Sequence, residues 1–154
     1  MPIDRPERKF DAKEIMKNSR PDWYDDDEQT DFWWMGDYSP IEVAFGNIVV
    51  QEVAGSYQGD NFNFYDAGDG KFFYLTFGWG SCSGCDWLQA CNSWEEVQEL
   101  VDSLWESTVW FADAQDALDW FEKHDWEGDW SWHTEEVHNF VKSVKEHLAQ
   151  VLDS

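Results

Sequence analysis

The chain has 154 residues, 42% of them apolar, and its 33 acidic and 10 basic side chains give a net charge of −23 at pH 7. This length suits one domain with a buried core, and no apolar run approaches the roughly 18 residues of a membrane-spanning helix. The charge repels nucleic acid and anionic membranes, which excludes direct binding to either, and favours a basic partner. The amino terminus lacks the apolar centre of a signal peptide and the cysteine count is odd, so we predict a cytoplasmic protein.

Residues 1–40 are predicted to form an acidic, aromatic-rich appendage, partly disordered or docked on the following domain. They hold 11 acidic and 6 basic side chains. An acidic run such as Asp25–Glu28 would by itself favour a disordered tail, but Trp23, Tyr24 and the aromatics of 32–34 indicate that parts of the segment dock. Phe10–Lys17 is compatible with a short helix.

Residues 41–154 are predicted to form a single α+β domain that begins with an antiparallel meander of three or four strands. Strand-like runs cover Ile48–Ala54, Phe62–Asp66 and Phe72–Trp79, and the glycine-rich stretch 67–70 between the second and third favours a turn. In the third run Phe73, Leu75, Phe77 and Trp79 alternate and share one face. Val109–Phe111 is a short candidate for a fourth strand.

Three helices are predicted to follow and to pack on one face of the sheet. Ser93 and Glu96 have the spacing of a capping box that opens the first helix. Asp113 is a candidate cap for the second helix, and Thr134 starts the third. Apolar side chains at helical spacing form the buried stripe of the first helix, namely Trp94, Val97, Leu100, Val101, Leu104 and Trp105.

The cysteines suggest two kinds of chemistry. Cys82 and Cys85 have the spacing of half a structural zinc site, to which Cys91 would add a third ligand. The fourth ligand would be His124, His133 or His138, of which we predict His133. Alternatively, Cys82 follows a strand within a glycine-rich turn, which is the setting of a nucleophile, so a cysteine-dependent enzyme is a rival interpretation. In the third interpretation the cysteines are free thiols, and the glycine-rich stretch is a turn through which the chain leaves the sheet.

Acidic side chains recur at steps of three and four along the first two predicted helices. They lie opposite the apolar stripes, and Lys123 is the only basic residue on either helix. Rows of negative charge at such intervals resemble a nucleic-acid backbone. We therefore predict that they form the binding surface, which consists of Glu95, Glu99, Asp102 and Glu106 on the first helix and Asp113, Asp116, Asp119 and Glu122 on the second.

Four short segments resemble small uncharacterised proteins encoded by bacteriophages and some bacteria: Gly55–Asp60, Leu75–Asp86, Trp126–Trp130 and Trp132-His133. The second segment contains Gly78-Trp79-Gly80-Ser81-Cys82-Ser83-Gly84-Cys85-Asp86. The resemblance covers about residues 48–150. It implies a phage origin, and hence the host cytoplasm, but no known activity.

Charge and resemblance together predict a non-enzymatic binding protein. It would occupy a basic, nucleic-acid-binding surface of a host protein, such as a nuclease, as a polyanion mimic or inhibitor. A toxin-neutralising immunity protein fits the charge equally well. The remaining alternatives are the enzyme that uses Cys82 and a structural or assembly protein whose acidity provides only solubility.

Overall fold

A four-stranded antiparallel sheet in the order β1-β2-β3-β4 forms the centre of the fold. The computed structural model describes residues 2–17, 37–55, 58–80, 86–126 and 134–154. The predicted α+β class and the antiparallel meander are confirmed, and each predicted strand is present. The strands are β1 Asn47–Gly55, β2 Gln58–Gly68, β3 Lys71–Gly80 and β4 Val109–Phe111.

The β2–β3 hairpin closes through the two-residue turn Asp69-Gly70. Both residues have positive φ, 55° and 78° respectively. This is the backbone of a turn that matches the twist of antiparallel strands, and an Asp-Gly pair adopts it at low cost. The predicted turn therefore lies where the sequence placed it, and it aligns Tyr65 with Phe73 across the two strands.

The inner strands bury apolar side chains on both faces. On one face Tyr65, Phe73 and Leu75 are buried, and Phe77 and Trp79 pack against the same cluster as predicted. On the other face Phe64, Phe72 and Tyr74 are buried in a second cluster. A sheet that is apolar on both faces needs a cover on each side, because exposed aromatic area is unfavourable in water.

The helices provide a cover on each side, which corrects the prediction that all of them pack on one face. Of the helices in the described ranges, four lie on the face of Phe73, namely α1 Ala12–Ile15, α2 Ser39–Phe45, α3 Trp87–Ala90 and α4 Trp94–Glu106. The other two lie on the face of Phe72, namely α5 Ala114–Lys123 and α6 Thr134–Asp153. The chain changes side at β4, the sheet edge that links α4 to α5. No helix in the described ranges is long and apolar enough to cross a membrane.

The predicted helix starts are present, with one difference in the hydrogen bonds. Ser93 Oγ accepts from Glu96 N at 3.1 Å, and Asp113 Oδ1 accepts from Asp116 N at 2.8 Å. The Glu96 carboxylate accepts from Asn92 N at 2.6 Å rather than from Ser93 N, so the return bond reaches one residue further back. These bonds satisfy amide groups that have no partner within a helix.

The segment 2–17 lies against α4 and β4. Ile3 N donates to Trp110 O at 2.8 Å and extends the sheet by one bridge. The Phe10 ring lies 4.9 Å from Phe45 and 5.2 Å from Trp105, measured between ring centroids. Gln98 holds the same segment through bonds to Phe10 O and from Ala12 N. The helix α2 crosses the predicted domain boundary between residues 40 and 41.

The buried Asp86 carboxylate accepts hydrogen bonds from three parts of the described chain. Its Oδ2 accepts from Gly80 N at 2.8 Å, at the end of β3. Its Oδ1 accepts from Tyr38 Oη at 2.9 Å and caps α3 by accepting from Gln89 N at 3.1 Å. One carboxylate thus joins the end of β3, the start of α3 and the residue that precedes α2.

The strands β1 and β2 approach each other closely at Gly59, where a side chain would not fit. A Cβ atom at Gly59 would lie 1.7 Å from the backbone oxygen of Ala54, whereas one at Gly78 would contact nothing closer than 3.5 Å. We expect Gly59→Ala to lower the free energy of unfolding by about 1–3 kcal/mol, because the backbone of the hairpin must shift. Gly78→Ala, also within a strand, is the matched control. Urea denaturation of both variants measures the difference, and equal stability would contradict the close approach.

Candidate functional site

The acidic row on α4 faces solvent along its whole length. The apolar stripe of this helix buries Val97, Leu100, Val101 and Leu104, and this orients the opposite side outward. Glu95, Glu99, Asp102 and Glu106 are exposed. None of the four forms an ion pair within the part of the chain that the structure describes. These charges are therefore available to a partner without first breaking a salt bridge.

Basic side chains from the segment 2–17 lie beside one end of this row. Arg5, Arg8 and Lys9 line a cavity of about 600 Å³ together with Asp102 and Glu106. Arg5 donates to the backbone oxygen of Glu106 at 2.8 Å. The cations reduce the negative potential near the carboxyl end of α4, so Glu95 and Glu99 form its more negative half.

The acidic row on α5 is separate from the row on α4. Asp113 and Glu122 are exposed, whereas Asp116 and Asp119 are half-buried. Because α4 and α5 cover opposite faces of the sheet, the outward sides of the two helices point in opposite directions. The eight acids predicted as binding residues therefore lie on two separate surfaces, and their role in binding stays a prediction.

The predicted zinc site lies largely outside the described residues. This applies to Cys82, Cys85 and His133, so the site stays a prediction, and so does the nucleophilic role of Cys82. Cys91 is buried and its Sγ donates to Trp87 O at 3.4 Å. Burial raises the pKa of Cys91 to about 11, and neighbouring carboxylates, Glu96 foremost, add to the rise. Within the described ranges no three potential metal ligands come together.

A buried polar cluster lies on the sheet face that α2 covers, and the sequence analysis missed it. It comprises Glu42, 3% exposed, Asn61, 8% exposed, and Asn63, 0% exposed, with Gln51 beside them. The Gln51 amide nitrogen donates to Glu42 Oε2 at 2.8 Å and to Asn63 Oδ1 at 2.7 Å. Asn61 Nδ2 donates to Glu42 Oε1 over a longer 3.4 Å. Among the described residues, side-chain amides are thus the groups that donate to this buried carboxylate.

Burial raises the pKa of the Glu42 carboxyl above its ordinary value of 4.5. The nearby Asp37 carboxylate adds to the rise, and the amide hydrogen bonds oppose only part of it. Tyr65 Oη donates to the backbone oxygen of Glu42 at 2.8 Å and fixes α2 over the sheet. The one sequence signal for the cluster was the alternation of Asn61 and Asn63 with phenylalanines, which resembles a strand with one solvent-facing side.

Comparison with protein-family models, with curated proteins and with solved structures found no match. The resemblance to phage-encoded proteins stays a prediction.

The raised pKa of Glu42 predicts a specific pH dependence of stability. The folded state binds the Glu42 proton more tightly than the unfolded state does, so stability is lost as pH rises from the unfolded pKa through the folded one. The amide side chain of the Glu42→Gln variant does not titrate, so this contribution to the pH dependence is absent. We expect the stability of the variant relative to wild type to increase between pH 4 and pH 8, as measured by urea denaturation. Glu52→Gln, on the opposite side of β1, is the control, and a difference independent of pH would contradict the prediction.

The Cys91 thiol is expected to be unreactive in the folded protein. A pKa near 11 instead of 9.0 lowers the thiolate fraction at neutral pH about 100-fold. In a Cys82→Ser, Cys85→Ser variant, iodoacetamide should alkylate Cys91 at least about 100-fold more slowly when folded than when unfolded. Mass spectrometry over time measures both rates. Rapid labelling of the folded variant would show an activated thiol instead.

Proposed function

We propose that the protein is a non-enzymatic, phage-encoded binding protein that occupies a basic, nucleic-acid-binding surface of a host protein. The observation that carries the proposal is the exposed row of carboxylates on α4, which form no ion pair among the described residues. Residues 41–154 hold 22 acidic and 4 basic side chains, and the basic side chains of 2–17 lie beside one end of the row. A host nuclease or another protein that binds nucleic acid is the partner that this chemistry favours.

The spacing of the carboxylates on α4 supports the proposal that this row imitates a polyanion. Glu95 and Glu106 are eleven residues apart, which corresponds to about 16 Å along the helix axis. Four charges over this length repeat every 4.5–6 Å or so, compared with about 3.4 Å of axis per phosphate in one strand of duplex DNA. A groove that neutralises successive phosphates with Lys and Arg can contact such a row.

The second row, on α5, extends the negative charge to the other side of the molecule. Duplex DNA is also negative around its whole circumference, so a partner that encloses DNA meets charge on both sides of a mimic. The rows need not act together, since they face opposite ways. The two surfaces can therefore be tested separately.

The test compares three variants that each remove four negative charges. The α4 variant is Glu95→Gln, Glu99→Gln, Asp102→Asn and Glu106→Gln. The α5 variant is Asp113→Asn, Asp116→Asn, Asp119→Asn and Glu122→Gln, and the asparagine side chain at position 113 can still cap the helix. The control neutralises four exposed acids elsewhere, namely Asp69, Glu135, Glu146 and Asp153.

We expect wild type, immobilised and exposed to host lysate, to retain basic proteins that are released by salt and by added duplex DNA. The α4 variant should lose at least about tenfold in affinity while its melting temperature stays equal or rises slightly, because like charges at this spacing repel. If the α4 variant and the control lose the same affinity, binding depends on net charge and not on the α4 row. A partner that duplex DNA does not displace would contradict mimicry and favour the immunity-protein alternative.

A further inference from the structure

A small cavity opens beside the buried polar cluster, between α2 and the ends of β1 and β3. Its volume is about 280 Å³, and its lining includes Asp37, Tyr38, Glu42, Asn61 and Trp79. This volume is near the lower limit of ligand pockets, which measure roughly 300–1,000 Å³, so it suits a small head group. The cavity is distinct from both acidic rows.

Two residues that line this cavity each bury a polar atom that has no hydrogen-bond partner among the described residues: Asn61 Oδ1, an acceptor, and Trp79 Nε1, a donor. Asn61 itself is 8% exposed. In the β2–β3 register Asn61 faces Phe77, and Trp79 lies two residues further along β3 on the same face. Leaving such atoms unpaired costs about 1–3 kcal/mol each, so a ligand that bonds to them recovers a substantial free energy.

The lining attracts cations. It contains two carboxylates, Asp37 and Glu42, and no Lys, Arg or His among the described residues. It also contains the rings of Tyr38 and Trp79, whose faces attract cations. The bond that Glu42 Oε1 accepts from Asn61 Nδ2 is 3.4 Å long, so this oxygen retains capacity for a shorter bond from a further donor.

We propose that this cavity binds a guanidinium group, as carried by arginine. A planar guanidinium has N–H donors in a fixed fork, which suits the Glu42 carboxylate beside Asn61 Oδ1, and its face stacks on an aromatic ring. An ammonium group offers neither the fork nor the stacking face. Trp79 Nε1 requires an acceptor as well, and the carbonyl or carboxylate oxygen of arginine supplies one. The proposal does not depend on the proposed function, because none of its residues belongs to the acidic rows.

The experiment titrates the ¹⁵N-labelled protein with matched ligands and follows the indole N–H resonance of Trp79, assigned through Trp79→Phe. N-acetyl-L-argininamide represents an arginine within a partner protein, and L-arginine represents a free ligand. N-acetyl-L-citrullinamide has nearly the same shape without the charge. We expect the arginine compounds to shift this resonance saturably and the citrulline compound to bind at least about tenfold more weakly. Whichever arginine compound binds more tightly identifies the source.

Three variants locate the site. Glu42→Gln should weaken binding of the arginine compounds about tenfold or more, because it removes the charge that faces the guanidinium. Asp37→Asn should weaken it a few-fold. Asp37 is exposed, and Asn can still accept from Ser39 N as Asp37 does at 2.9 Å, so this variant remains informative if Glu42→Gln does not fold. Glu52→Gln, on the other side of β1, should change the affinity less than twofold or so.

Absence of any Trp79 shift at about 10 mM arginine compound, far above the concentration at which a specific site saturates, would overturn the proposal. Equal binding of the citrulline compound would overturn it too, since the site would then recognise a neutral group. Equal affinity in Asp37→Asn, Glu42→Gln and Glu52→Gln would place the binding elsewhere. Loss of partner binding by the α4 variant has no bearing on these results, so the two proposals fail independently.

Discussion

Burial of aromatic side chains on both faces of β3 is the constraint on which the described fold depends. Phe73 stacks between Tyr65 and Trp110, with centroid distances of 4.2 and 4.4 Å. On the other face Phe72 stacks with Phe64 at 5.5 Å. Each such pair contributes about 0.5–1.5 kcal/mol beyond the area it buries. Neither face of the strand can be left in water, so the chain must cross a sheet edge and place helices on both sides.

The two-sided cover determines how the negative charge is distributed. Each helix turns its apolar stripe inward, so the acids of α4 and α5 point away from the sheet in opposite directions. The result is a particle that is negative on two sides rather than one with a single acidic patch. The basic side chains of 2–17 moderate one end of the α4 row. A partner that recognises the α4 row therefore meets its strongest field near Glu95 and Glu99.

The polar cluster under α2 lies where an apolar contact would have been more stable. A buried carboxylate costs free energy even when amides hydrogen-bond to it, because solvation by water is lost. Glu42 nevertheless lies beside a cavity in which Asn61 and Trp79 leave an acceptor and a donor without partners among the described residues. Residues that lower stability without completing their own hydrogen bonds are typical of binding sites. The proposed guanidinium site would explain why a buried carboxylate lies beside these two unpaired atoms.

Local patterns in the sequence were enough to predict the elements of the fold: the four strands, the turn at Asp69-Gly70, and the starts of α4 and α5 at Ser93 and Asp113. Periodicity, capping and turn chemistry act between near neighbours, so they can be read without the fold. The tertiary structure alone decided which face each helix covers, and so divided the eight predicted acids into two surfaces. It also buried Asn61 and Asn63, two polar residues that alternate with phenylalanine along β2. Both outcomes depend on contacts between segments far apart in the chain, and local sequence patterns cannot predict such contacts.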